Sequence, residues 1–250
     1  MTAPPETASA RPDLLVACVG TATEVGKTWV GAAVLTELRR RSVNVAARKP
    51  AQSFDPTDDE PTDAQVLADA GGERADEVVP EARSYPMALA PPMAAARLHR
   101  PAPRLDELVA ELRWPERCRL GWLETVGGVR SPIAVDADSG ELCVRVDPDV
   151  VVLVGDASLG AIGAVRSGLD SLALAATPDG SLATRTVVLL NRFDRHDPTH
   201  VENASWLIDR LAQPVFTEVG AIADHLVARL PAGPTPAVDR RPPTGTGSVA

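Results

Sequence analysis

The sequence predicts an α/β fold of three layers, with a mostly parallel central sheet flanked by helices. Three observations carry this. Short β-branched runs alternate with longer stretches of helical periodicity from Leu14 to Leu230, the mark of repeated strand-helix-strand units. Several runs are apolar on both faces, as strands of a covered parallel sheet are. A Gly-rich turn follows the first run and opens the first helical stretch, and α/β sheets bind ligands at such strand ends.

In chain order the expected strands are Leu14–Gly20, Val43–Lys49, Arg119–Thr125, Val150–Gly155, Thr186–Asn191 and Pro214–Gly220. The expected helices begin with Lys27–Arg41, where Val30, Ala33, Val34 and Leu38 recur at helical spacing. Asp63–Ala70 follows between Thr62 and the Gly71-Gly72 stop, and then come Leu105–Arg113, Ile162–Ala176, His200–Ala212 and Asp224–Leu230. The segment DADSGELCVRVDPD, before VVVLVG, is short for a helix. Residues 1–12 and 231–250, dense in Pro and Thr, read as mobile tails, which leaves 13–230 as one α/β domain.

The 250 residues are 44% apolar, enough for one sizeable core. A net charge of -9 offers no basic field for nucleic acid or an anionic membrane, so neither is expected as a partner. No apolar run approaches the roughly 18 residues of a membrane span, and the first residues lack the pattern of a secretory signal. A cytoplasmic location is expected. Cys18, Cys118 and Cys143 form no CxxC pair, which suits a reducing compartment and a packing role.

The turn reads GTATEVGKTW, Gly20 to Trp29. Glycines let consecutive backbone N–H groups converge on phosphate oxygens, the next helix adds its positive N-terminus, and Lys27 supplies a cation. The strict phosphate-loop pattern has roughly four residues between its glycines; here five separate Gly20 from Gly26. The Thr28 hydroxyl is placed to ligate Mg²⁺, which takes only one or two protein carboxylates. Glu124 and Asp63, at a strand end and a helix start, are the candidates; each could equally be a helix cap or an ion-pair partner. Lys27 and Lys49 are the only lysines in the chain. His196 and His200 straddle a helix start with Pro198 between them and read as a turn, and Trp114 and Trp122 read as core. The acidic stretch SFDPTDDEPTD reads either as a solvated loop or as part of the site.

The turn, KPAQS (Lys49 to Ser53), TDAQVLA, YPMALAPPMAA (Tyr85 to Ala95), ETVGG and LLN occur in an order and spacing similar to those of the dethiobiotin synthetase family, within the P-loop NTPase superfamily. The resemblance spans Leu14 to Leu230 and includes the five-residue gap of the turn. It implies a P-loop fold and an ATP-dependent cyclo-ligase that joins CO2 to a diamine, 7,8-diaminopelargonate, and closes a ureido ring. By that resemblance Thr23, Glu24, Val25, Gly26, Lys27, Thr28 and Trp29 bind the nucleotide, with Thr125, Val126 and Gly127 beside its phosphates. Asn191 would read the adenine base, and the segment holding Ala223 would close over it. Thr28, Asp63 and Glu124 would hold Mg²⁺. Lys49 would face the carbamate with Lys27 as the second catalytic lysine, and Ser53 would bind the substrate amine. A homodimer is implied, with the substrate carboxylate received at the partner's helix start.

Ala22 stands where the family often has an acidic residue, Ala223 takes the place of a common proline, and five further positions differ from the family's pattern. Phe54 replaces a glycine, Thr125 and Val126 replace two small residues, and Gly163 and Ala164 stand where Asn and His are usual. A second reading therefore stays open at this point: a P-loop ATPase switch or partner-binding protein that has lost its diamine site.

Overall fold

The computed structural model describes residues 11–175 and 181–232. Six parallel strands form the central sheet: β1 (Leu14–Gly20), β2 (Val45–Arg48), β5 (Leu120–Gly128), β8 (Val150–Asp156), β9 (Thr186–Asn191) and β10 (Val215–Phe216), ordered β10-β9-β8-β1-β5-β2. Two small sheets lie beyond it. β3 (Gln52–Ser53) pairs in parallel with β4 (Ser84–Tyr85), and β6 (Pro132–Ala134) pairs antiparallel with β7 (Ala137–Asp138). The helices are α1 (Lys27–Arg40), α2 (Asp63–Gly71), α3 (Ala75–Val78), α4 (Pro91–Arg97), α5 (Leu105–Ala110), α6 (Ser139–Val146), α7 (Ala161–Ala175), α8 (Ser181–Thr184), α9 (Pro198–Arg210) and α10 (Val219–Val227).

Every residue of β1 is buried, because helices cover both of its faces. On one face Val16 and Cys18 join Val30, Val34 and Leu38 of α1 and Ile222 and Leu226 of α10. On the other, Ala17 and Val19 join Val165, Leu169 and Leu172 of α7 and Leu207 of α9. The two layers of helices thus sort by the alternation of side chains along the strand. All three cysteines are buried and free, and burial pushes the Cys118 and Cys143 thiols up to about 12.

The segment Pro214–Gly220 is a correction to the expected strands. Only Val215 and Phe216 pair with β9, and α10 already begins at Val219. Its apolar positions, Val219, Ile222, Ala223 and Leu226, follow the helical i, i+3, i+4, i+7 rule and bury one face, which overrides the β propensity of the run. The short acidic segment before β8 does form a helix. Asp138 and Glu141 cap α6 reciprocally, which supports its eight residues. Pro198 occupies the first turn of α9, behind the cap Asp197, so that helix starts two residues before the expected His200.

The N-terminal tail expected over 1–12 and the C-terminal tail expected over 231–250 lie outside the described residues, apart from residues 11, 12, 231 and 232. Arg11 donates to the Val146 carbonyl at 3.0 Å, and Arg119 donates to the Pro231 carbonyl at 2.5 Å.

Candidate active site

The strand order places the site. From β1 the chain crosses to β2 at the sheet edge, returns to β5 beside β1, and then passes to β8 on the other side. The loops after β1, β2 and β5 therefore open onto one crevice at the carboxyl ends of their strands. A cavity of about 700 Å³ lies there.

Its floor is the turn after β1. Gly26 has φ of 86°, a left-handed conformation that glycine adopts without steric cost, and it precedes the first residue of α1. A Cβ on Gly20 would lie 2.7 Å from the Ala22 carbonyl oxygen and 2.8 Å from that of Gly127, so the turn closes only over a glycine. Lys27 donates to the Gly127 carbonyl at 2.8 Å. Burial pulls its ammonium below the ordinary lysine value against the attraction of Glu124, and Lys49 lowers it further.

A compact group of charges sits beside this floor. Lys49 follows β2 and Glu124 lies on β5; Arg48 pairs with Leu123 across the two strands, so the register brings residues 49 and 124 opposite each other. The Lys49 ammonium is 2.6 Å from Glu124 Oε1 and 2.5 Å from Asp63 Oδ2. Lys49 is 4% exposed and Glu124 0%. Burial acts to lower the Lys49 ammonium, but the Glu124 and Asp63 carboxylates outweigh it, and the balance lies above the ordinary lysine value. Asp63 is the first residue of α2, held by the Thr62–Gln65 capping box and by Gln52, whose Oε1 accepts the Ala64 N–H at 3.0 Å.

Thr28 Oγ1 lies 2.8 Å from both Asp63 Oδ1 and Glu124 Oε1. A hydroxyl carries one proton and can donate to only one of them. Three hard oxygens therefore converge, and Glu124 Oε2 is buried with no hydrogen-bond partner among the described residues. This donor set fits a small divalent cation that takes oxygen ligands. No group of three or more His, Cys, Asp or Glu forms a metal site by itself among the described residues, His196 and His200 included; His200 Nδ1 instead accepts the Asp194 N–H at 3.0 Å.

Most of the sequence-predicted residues come together. Thr23, Glu24, Gly26, Val126 and Gly127 line the cavity with Lys27, Thr28, Lys49, Ser53, Asp63 and Glu124. Ser53 Oγ is buried there with no hydrogen-bond partner among the described residues. A neighbouring cavity of about 520 Å³ is lined by Gly26, Trp29 and Asn191, with Val219 on its rim. The Asn191 amide donates to the Val25 carbonyl at 2.9 Å.

Three residues are placed elsewhere. Thr125 points away from its cavity-lining neighbours and donates to the Cys18 carbonyl at 3.2 Å. The Val25 side chain and Ala223 both pack in the core. Cavity residues that sequence reasoning did not single out are Asp58 and Asp55 of the acidic loop, Ser131 and Arg192. Arg192 adopts φ of 56° beside Asn191 and binds both Asp156 and the Glu24 carbonyl. The Pro-broken, acidic composition of 54–62 was the one signal for the loop; nothing local marked Arg192.

The chain is similar to known proteins along most of its length. A family model described as an AAA domain matches residues 14–205. The ATP-dependent dethiobiotin synthetase BioD of Phenylobacterium zucineum is 35% identical over 192 residues, covering 73% of this chain and 78% of that protein. The protein of the same name from Caulobacter sp. strain K31 is 32% identical over 221 residues, covering 84% and 92%. That from Haloferax mediterranei is 32% identical over 212 residues, covering 80% and 82%. Among solved structures, the signal recognition particle receptor FtsY from Elizabethkingia anophelis superposes with a TM-score of 0.49 at 14% identity, covering 89% of this chain and 67% of that one.

Proposed function

The chain belongs to the dethiobiotin synthetase family, and from that membership we propose that it carboxylates 7,8-diaminopelargonate with CO2 and closes the ureido ring, cleaving ATP to ADP and phosphate. The observation that carries this reading is the buried Lys49 ammonium, held beside Glu124 and Asp63 in the same cavity as the Lys27 turn.

The chemistry requires such a pair of cations. One amine takes up CO2 as a carbamate, an anion that must approach an anionic γ-phosphate. The carbamate oxygen attacks phosphorus, ADP leaves, and the second amine then attacks the carbonyl carbon of the mixed anhydride, releasing phosphate and protons. Lys27, at the N-terminus of α1, faces the phosphates together with the free N–H groups of the helix's first turn. Lys49 offsets the carbamate charge, and the unpartnered Ser53 hydroxyl takes an amine. Mg²⁺ held by Thr28, Asp63 and Glu124 would neutralise charge on the phosphates. Asn191 and Trp29 are assigned to the base in the neighbouring cavity.

Homodimeric association belongs to this reading and is supported by exposed apolar side chains, Leu159 at 90% and Leu174 at 82%, just before and on α7. So does a cytoplasmic setting: among the described residues no helix is long and apolar enough to cross a membrane.

The test is phosphate release with Mg²⁺, ATP and bicarbonate, with and without diaminopelargonate. Release that depends on the diamine, together with a cyclic urea, is expected. Release indifferent to the diamine, with no urea, would leave a P-loop ATPase switch.

A further inference from the structure

Two non-glycine residues beside the site hold left-handed backbone, Glu24 in the turn at φ of 61° and Arg192 after β9 at φ of 56°. Such a conformation is costly for a residue with a Cβ and persists only where its surroundings enforce it. Here the two are tied together. Arg192 Nη2 donates to the Glu24 carbonyl at 2.9 Å, and Arg192 Nη1 donates to Asp156 Oδ2 at 2.9 Å. The Asn191 amide repeats the pattern one residue along the turn, donating to the Val25 carbonyl. Consecutive residues at the end of β9 thus hold consecutive carbonyls of the turn.

A held carbonyl fixes more than itself. Across a planar trans peptide the C=O and the next residue's N–H point in opposite directions. With the Glu24 and Val25 carbonyls drawn to β9, the Val25 and Gly26 N–H groups turn away from it. β9 lies on one side of β1, beyond β8, and β5, whose Gly127 carbonyl receives Lys27, lies on the other. The N–H groups are thereby turned to the side of the loop that carries the Lys27 ammonium, where a phosphate is held. Arg192 lines both the main cavity and the neighbouring one assigned to the base. Asp156 lines neither; it ends β8, opposite Asn191 in the register, and its Oδ1 accepts the Ser158 N–H at 2.9 Å.

We propose that Arg192 is a positioning residue for the nucleotide: anchored by Asp156, it holds the Glu24 carbonyl and so directs the N–H that follows at the phosphates, without itself reading the base. This rests on the nucleotide part of the ring-closing reading, and its test is binding alone, independent of whether a cyclic urea forms.

The test is equilibrium titration with ADP and, by competition, with adenosine, which keeps the base and ribose and lacks the phosphates. Arg192→Gly removes the guanidinium and places at positive φ the residue that accepts it freely. The ion pair it loses is partly exposed and contributes little to stability, so its melt should stay close to wild type. Its ADP dissociation constant should rise about tenfold while that of adenosine stays in place. Arg192→Lys should recover part of the loss. Asp156→Asn keeps an oxygen for the Ser158 N–H and turns an NH2 group on the guanidinium. Although residue 156 lines neither cavity, this variant should weaken ADP several-fold, and it should add nothing in the Arg192→Gly background. Equal weakening of ADP and adenosine in Arg192→Gly would make Arg192 a contact to the nucleoside and overturn the positioning role. Unchanged ADP binding in either Arg192→Gly or Asp156→Asn overturns it as well, with ring closure left standing. Wild-type protein that bound neither ADP nor ATP would end the parent reading, and this one with it.

Discussion

Lys49, just past the end of β2, and Glu124 on the adjacent parallel strand β5 meet ammonium to carboxylate at 2.6 Å, both buried. A buried ion pair is rarely a source of net stability, since desolvating two charges costs about what their attraction returns. This one also leaves Glu124 Oε2 without a partner. The arrangement makes sense as a poised site, in which charges are held dry and close so that they act strongly on whatever enters.

Removing the ammonium should therefore separate chemistry from nucleotide binding. Lys49→Ala is expected to lower ring closure by about 10²–10³-fold while the ATP dissociation constant changes by less than about tenfold, because Lys27 and the turn are untouched. The same variant strands a buried carboxylate and should lose about 3–5 kcal/mol of stability. Product formation, nucleotide titration and thermal melting on one preparation check all three. Loss of ATP binding with an unchanged melt would move Lys49 to the phosphates.

The pH dependence of stability follows from the same group. Burial works against the Asp63 charge, but Lys49 and the Thr28 hydroxyl outweigh it and hold the carboxyl below its ordinary value. Its contribution is then present above the unfolded carboxylate value of about 3.9 and disappears as pH falls through the folded value. Lys49 lies above its ordinary value, so its contribution is complete below the unfolded lysine value of about 10.4 and fades as pH rises through the folded one. Asp63→Asn should melt with a shallower acid limb than wild type and differ from it by a constant between about pH 5 and 9. Identical acid limbs would show that the Asp63 charge is uncoupled from folding.

What could be read from the sequence divides along physical lines. Strands β1, β5, β8 and β9 were legible because a strand covered on both faces is an unbroken apolar run, and α1 because its apolar stripe keeps one period. Lys49 and Glu124 were legible because both stand at the ends of the expected strands, although β5 itself runs on past Glu124 to Gly128. Val126 and Thr125 show the limit. Successive strand side chains point to opposite faces, so with Glu124 in the cavity Val126 must share it and Thr125 must turn toward Cys18; the motif resemblance alone grouped all three. Asp55, Asp58 and Arg192 come from loops without periodicity, and only the folded chain shows which wall they line.

At Gly26 the turn meets the base side of the site. A Cβ there would lie 2.2 Å from the Asn191 amide nitrogen, and φ is 86°. Gly26→Ala must push Asn191 off the Val25 carbonyl or distort the turn, and a left-handed alanine costs about 1–2 kcal/mol before any clash. ATP affinity should fall more than about tenfold, measured by equilibrium titration. Asn191→Ala opens the space for that Cβ but also removes the group assigned to the base, so where the clash and not the φ angle dominates, the double variant should lose less affinity than the two single losses summed.

The position of Asp63 depends on a residue that touches neither nucleotide nor substrate in this assignment. Gln52, 4% exposed, accepts the Ala64 N–H at 3.0 Å and donates to Ser84 Oγ at 2.8 Å, pinning the first turn of α2 to the β3–β4 pair. Gln52→Ala leaves that N–H buried and unpaired, at about 1–3 kcal/mol, and frees the turn that carries Asp63. Both the melting temperature and the Mg²⁺ affinity should fall, the latter by several-fold at half-saturation. Ser84→Ala removes only the second bond, so it should lower the melt while leaving Mg²⁺ half-saturation near wild type. Because the two variants share a destabilisation and differ at the helix start, their Mg²⁺ curves isolate positioning from folding. Coincident curves would mean that the Thr62–Gln65 cap alone sets Asp63, and that Gln52 serves stability only.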